Sequence, residues 1–190
     1  PRPDEKWRCG GHGQPAYPNA EQFETAVEDA WPRLLDNCQS VLEASPATRD
    51  LDLVALGGRV QRAAVVAGRE AHPFSAEDVS ADVEEWRTLI HGDLKAANVL
   101  VQGDDVALLD CRYVGDGLAA TDLAHFRTAS VAGSELLKDG TLRDGELVDL
   151  YLSEFAAALG RNVDGDAFRR QFDVAVVDKA RFVFAYLWPR

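Results

Sequence analysis

The 190-residue chain has no methionine, only three cysteines, and no apolar run longer than Phe182 to Trp188. Each scarcity excludes something. That run is far short of the roughly 20 apolar residues a helix needs to cross a bilayer, so a soluble chain is expected. Cys9, Cys38 and Cys111 are odd in number, widely spaced and without a Cys-x-x-Cys pair, which argues against a disulfide framework and fits reduced thiols in the cytoplasm. Cys9 and His12 are spaced like half of a zinc site, but structural zinc takes four ligands and no second pair stands nearby. Positive charge is also scarce: 20 Lys and Arg stand against 32 Asp and Glu, a net charge of -12. Such a surface repels nucleic acid and anionic membrane, so neither is expected as a partner, whereas a cationic small molecule is favoured. Repeats and low-complexity tracts are absent, and 46% hydrophobic content suffices for one core and one domain.

Residues 1–18, rich in Pro, Gly and charge, read as a loop, and residues 19–89 as helices. Asn19 with Gln22 makes a capping-box pattern, and Phe23, Val27, Trp31, Leu34, Cys38 and Val41 recur at helical spacing. Pro32 should kink this helix or restart it, because it cannot donate an interior helix hydrogen bond. After a break at Ser45-Pro46, Leu53, Leu56, Val60, Ala63, Ala64 and Ala67 mark a second helix, in which Gly57 and Gly58 weaken propensity but allow close helix packing. His72-Pro73 ends it as a surface turn, and Ser75 with Asp78 opens a short helix carrying Val79, Val83 and Trp86 forward.

Residues 90–110 carry the chemistry. Two short apolar runs, Val99 to Val101 and Val106 to Leu109, flank Gln102-Gly103-Asp104-Asp105 and read as a β-hairpin. If the turn closes symmetrically, Asn98 faces Asp110, and an amide oxygen and a carboxylate converge on one hard cation such as Mg²⁺. Asp93 precedes Asn98 by five residues, behind Gly92, and can project to the same point. A carboxylate there can orient an alcohol and take its proton while a metal-bound phosphate is attacked.

Beyond the hairpin, Gly115 and Gly117 read as loop, and residues 121–190 as C-terminal helices. One begins at Thr121-Asp122, one is marked by Leu147, Tyr151, Phe155 and Leu159, and the last by Phe168, Phe172, Val176, Val183 and Leu187, after a turn from Gly160 to Gly165. A lone histidine such as His125 is expected to be hydrogen-bonded structure rather than a base. The expected class is therefore α+β, mainly α, with helices around one short hairpin.

His91-Gly92-Asp93, Asn98 five residues on, Asp110 after an apolar strand, and Asp122-Leu123-Ala124 together resemble the aminoglycoside phosphotransferase and choline-kinase-like superfamily. Tyr113 to Leu118 is most similar to its ecdysteroid-kinase-like (CHK kinase-like) branch. The resemblance implies the helical C-terminal lobe of a protein-kinase-like fold and an ATP-dependent small-molecule kinase that phosphorylates a hydroxyl. It implies Asp93 as catalytic base, Lys95 as phosphate contact, Asn98 and Asp110 as Mg²⁺ ligands, and His91 and Asp122 as braces of the loop. Gly92, where protein kinases carry arginine, argues for a small-molecule acceptor. The chain departs from the pattern in placing Cys111 and Arg112 after Asp110, where the family usually has Phe or Trp.

The preceding nucleotide lobe is not recognisable. Gly10, Gly11 and Gly13 follow no strand and precede no strand lysine. A fragment is expected on that ground and on the missing methionine. The other readings are a catalytically degenerate kinase-like scaffold, which the missing lobe and Cys111 support, and a metal-dependent phosphate-ester hydrolase using the same aspartates.

Overall fold

The computed structural model describes residues 20–46, 48–71, 84–138 and 141–184. Helices α1 (Ala20–Ala44) and α2 (Leu53–Ala71) come first, followed by strands β1 (Arg87–Ile90), β2 (Val99–Gln102), β3 (Asp105–Leu108) and β4 (Gly115–Leu118). Then come α3 (Ala119–Ser130), the short α4 (Gly133–Leu136), a minimal hairpin of β5 (Leu137–Lys138) and β6 (Thr141–Leu142), α5 (Asp144–Leu159) and α6 (Gly165–Phe182). The expected 1–18 loop, the Asn19 cap, the Ser75 helix and Leu187 lie outside the described residues, and nothing is described of the Phe23 side chain.

Helix α1 runs through Pro32 as one element, so the expected restart is not seen. Its buried stripe is Val27, Trp31 and Leu34, packed by Leu35, Leu42, Leu56, Val60 and Phe184. The stripe continues to Leu42, and Val41 is 69% exposed. Four-residue steps keep side chains on one face better than the last three-residue step that would select Val41. Polar bonds tie α1 to α2: the Trp31 indole N–H donates to the Leu53 carbonyl at 2.8 Å, and the buried Gln61 Oε1 accepts from the Val27 N–H at 2.7 Å and the Glu28 N–H at 3.3 Å. Asp52 caps α2 by accepting from the Val54 and Ala55 N–H groups at 3.1 and 3.0 Å.

The second and larger core joins Trp86 to α3, α5 and α6 through Ala120, Leu123, Val148, Leu152 and Phe168. The Trp86 and Phe168 rings lie 4.6 Å apart, and Tyr151 stacks on Phe168 at 4.9 Å. Helix α6 packs on both α2 and α3 and so links the two cores. Asp164 caps it, accepting from the Asp166 and Ala167 N–H groups.

The strands bring two corrections. Gly115 and Gly117 are not loop: β4 pairs antiparallel with β1, Thr88 opposite Gly117 and Ile90 opposite Gly115. A Cβ on Gly117 would come within 2.5 Å of Ile90 Cδ1, so a glycine in this strand gives Ile90 its space. Residues 87–89, expected to be helical, are strand instead, and Trp86 sits in the turn before them. The β2–β3 hairpin forms as expected, with a two-residue turn that opens on Gly103 at φ 61°.

Gly57 is where α2 meets α1. A Cβ there would lie 2.5 Å from the Trp31 ring, whereas at Gly58 the nearest atom is the flexible Glu28 Oε1 at 3.3 Å. Alanine gains about 1 kcal/mol of helix propensity at either place. At residue 57 overpacking against a buried ring, about 1–3 kcal/mol, outweighs that gain. Gly57→Ala is therefore expected to lower the denaturation midpoint and Gly58→Ala to leave it unchanged or raise it, as urea unfolding of the two variants will show.

Candidate active site

Strand β1 ends at the buried Ile90, and the chain enters His91-Gly92-Asp93, all three buried. Gly92 sits at φ 80°, a region open to glycine at no steric cost. Asp122, in the first turn of α3, receives both amides of this bend: its Oδ2 accepts from the His91 N–H at 2.6 Å and its Oδ1 from the Gly92 N–H at 2.9 Å. It thus reaches across to the loop rather than capping its own helix. Burial raises the Asp122 carboxyl above its ordinary pKa, against the pull of the two N–H bonds.

His91 carries the brace further. Its Nδ1 accepts from the Asp93 N–H at 3.3 Å, which leaves Nε2 to donate to the Leu109 carbonyl at 2.7 Å, tying the loop to the end of β3. Asp93 itself is 3% exposed. Lys95 Nζ donates to its Oδ2 at 2.8 Å, the Asn98 amide reaches the same oxygen at 3.2 Å and the Asp93 carbonyl at 2.9 Å, and His125 Nε2 lies 3.1 Å from Oδ1. His125 is hydrogen-bonded as expected, but to Asp93. It lies three residues after Asp122 on α3, hence on the same helix face, and that spacing was the signal available in the sequence. Lys95 is the exposed flank, its side chain 35% accessible.

Asn98 and Asp110 are not directly opposite. The register places Val99 against Leu108, and the Leu109 N–H donates to the Asn98 carbonyl at 2.8 Å, so Asn98 faces Leu109 and Asp110 lies one residue beyond. Asp110 turns the chain through the left-handed region, φ 59° and ψ 56°, the one described non-glycine residue with positive φ. A one-residue offset in a hairpin would aim its side chain to the opposite face. The left-handed turn breaks that alternation. The Asp110 carboxylate is gripped by Arg112, Nε to Oδ1 and Nη2 to Oδ2, both at 2.6 Å, which lowers its pKa. Among the described residues no three His, Cys, Asp or Glu side chains converge on a metal position. One amide and one carboxylate fit a cation that keeps several waters and takes phosphate oxygens, as Mg²⁺ does, rather than a protein cage. The fit requires Arg112 to yield Asp110.

Helix α6 adds a group the sequence did not mark. Lys179 is half-buried, its ammonium 4.7 Å from the centre of the Phe182 ring. Burial lowers its pKa to about 8, with Asp93 and Asp178 pulling upward and Lys95 downward.

A model of the phosphotransferase enzyme family matches residues 4–159. No curated protein matches the chain.

Two outcomes follow from this geometry. Asp122→Ala strands two backbone N–H groups and should cost about 2–6 kcal/mol, at roughly 1–3 per unsatisfied donor. Asp110→Asn, on an exposed pair, should leave the thermal midpoint close to the parent's. Lys179 gives a pH signature. Its pKa is about 8 folded against an ordinary 10.5, so the cost of its charge is complete below pH 8, shrinks as pH rises, and is gone above 10.5. Lys179→Met should therefore be more stable than the parent at pH 7, by on the order of 1–3 kcal/mol, with the difference vanishing near pH 10.5 in paired melts.

Proposed function

The chain belongs to the phosphotransferase enzyme family and has the fold of the helical lobe of a protein-kinase-like protein, and from that premise we propose that it transfers the γ-phosphate of ATP to a hydroxyl of a small molecule. The observation that carries the reading is Asp93: a buried carboxylate on a doubly braced loop, with the metal-type pair Asn98 and Asp110 at the adjacent hairpin end and the part-accessible Lys95 bonded to it.

In this proposal the acceptor hydroxyl enters from the Lys95 side and donates to an Asp93 oxygen. His125 and Asn98 fix the carboxylate, so the acceptor meets a preset lone pair and little reorganisation is needed. As the acceptor oxygen bonds to the γ-phosphorus and the bond to the β-phosphate oxygen breaks, the hydroxyl proton passes to Asp93. Lys95, released from Asp93, neutralises charge on the transferring phosphoryl group. Asn98 and Asp110 would hold Mg²⁺, which when bound supplies charge neutralisation on the nucleotide phosphates. The Gly115-Asp116-Gly117-Leu118 segment, strand in this fold, supports placement in the ecdysteroid-kinase-like branch only through its sequence.

The test is phosphoryl transfer from radiolabelled ATP with Mg²⁺ across a panel of small alcohols. Asp93→Asn is expected to lower turnover by roughly 10² or more while nucleotide affinity stays within a few-fold, the scale of lost general-base assistance. Unchanged turnover excludes Asp93 as the base. Phosphate release that needs no acceptor points to hydrolysis instead. Arg112→Gln frees Asp110, and Mn²⁺ titration of that variant, Mn²⁺ standing in for Mg²⁺, should show severalfold tighter binding than the parent. Equal binding would remove Asp110 from the metal pair.

A further inference from the structure

The loop from His91 to Asn98 runs alongside α3 and in the same direction. Its first amides, at His91 and Gly92, go to Asp122 in the first turn of the helix. Its middle, Asp93, lies 3.1 Å from His125. Its last bend meets Ser130, the final residue of α3, whose Oγ accepts from the Ala96 N–H at 2.7 Å. From Asp122 to Ser130 the helix is about 12 Å long at roughly 1.5 Å per residue, so both ends of the loop are pinned to one rigid rod.

What Ser130 holds is the short 3₁₀ turn Ala96–Asn98, with Lys95 just before it and Asn98 at its end. The turn closes on itself through the Asn98 N–H to the Lys95 carbonyl at 2.8 Å and the Val99 N–H to the Ala96 carbonyl. The Ala96 amide opens the turn, where a helical unit has no internal acceptor for it. Lys95 stands there in extended backbone, φ -147° and ψ 159°, and its side chain makes no cap, donating to Asp93 instead. The acceptor comes from α3, which packs on this turn. Ser130 is not needed to end its own helix: the Val131 N–H bonds the Arg127 carbonyl there, and Thr128, by contrast, turns its hydroxyl back to the Ala124 carbonyl at 2.8 Å. The Ser130 hydroxyl points its bonding outward, to the loop.

We propose that Ser130 is a positioning residue for phosphoryl transfer: by fixing the Ala96 amide it sets the direction of the turn, and with it the placement of Lys95 and Asn98 on either side of that amide. The proposal rests on the reading of Lys95 as the phosphate contact and Asn98 as a metal ligand. Asn98 donates its amide N–H to the Asp93 carbonyl at 2.9 Å and to the Asp93 carboxylate at 3.2 Å, which leaves its amide oxygen for the cation. A tilt of the turn moves that oxygen directly. Lys95 leaves Asp93 when the acceptor enters, and its reach is then set by the backbone that Ser130 holds. Misplacement by about 1 Å is enough to cost on the order of 10² in rate. Ser130 itself touches neither substrate nor cation.

The experiment uses the full chain and the pair Ser130→Thr and Ser130→Val, two side chains of nearly the same shape that differ in the hydroxyl. Both should melt within about 2–4 °C of the parent, the scale of one exposed hydrogen bond. Three readouts follow: Mn²⁺ titration without nucleotide, amide exchange at Ala96 by NMR, and transfer from Mg·ATP to whichever alcohol of the panel reacts fastest. Threonine should match the parent in all three. Valine should speed Ala96 exchange and lower both Mn²⁺ affinity and kcat by about tenfold, the scale for a partner that orients a metal ligand, while the KM for the alcohol moves little because His125 still holds Asp93. In a Lys95→Met background the valine should cost less kcat than it does in the parent, since part of its effect runs through that lysine. Valine equal to the parent, threonine as impaired as valine, or a full loss of kcat on top of Lys95→Met with Mn²⁺ affinity unchanged would each overturn the proposal. A parent that neither binds Mn²⁺ nor transfers phosphate would refute the kinase reading and this role with it, whereas an active parent indifferent to Ser130→Val refutes Ser130 alone.

Discussion

The Asp122 carboxylate is the constraint on which the site depends. Two amides of a bend that only glycine makes at low cost are buried at residues 91 and 92, and one carboxylate from α3 satisfies both. That fixes the loop to a helix, and the helix to the larger core through Ala120, Leu123 and Ala124. His91 then passes the constraint to the end of the hairpin through Leu109. The loop is thus held through its backbone, while the Asp93 side chain is met by Lys95, His125 and Asn98 and that of Asp110 by Arg112.

The price of gathering aspartates in one place is mutual repulsion, and the fold answers it with basic side chains at Asp93, Asp110 and Asp178 and with two backbone amides at Asp122. Lys95 and His125 meet Asp93, Arg112 meets Asp110, and Arg181 meets Asp178. These pairs differ in kind. Asp178–Arg181 is buried and structural, since removing one member would leave a charge without water. Arg112 and Lys95 are more accessible, with side chains 64% and 35% exposed, and their contacts are the ones that can open to an incoming metal or phosphate. Departure from the family pattern at Cys111 and Arg112 therefore has a local meaning: an arginine two residues after Asp110 holds the carboxylate in the left-handed turn. Helix α6 ties this centre to the rest of the chain, because it packs on α2 and α3 at once.

The amino-acid sequence alone determined the helices with strong periodicity and the hairpin with its glycine turn, because each of these is set by neighbours within a few residues. Trp31 and Phe168 were recognisable as core for the same reason. The braces His91 and Asp122, by contrast, were implied only by the family resemblance, Asp122 lying about thirty residues from the amides it receives. The β1–β4 pair was hidden, since Gly115-Asp116-Gly117 has no apolar alternation and becomes strand only through a partner about thirty residues away. Whether Asp110 faces Asn98 turned on a one-residue register and on a left-handed backbone that no propensity announces at aspartate. The contact of His125 with Asp93 required α3 to pack against the loop first. Local spacing encodes which residue types can do the chemistry, but burial and long-range packing decide which of them share a charge environment, and that was settled only in the tertiary structure.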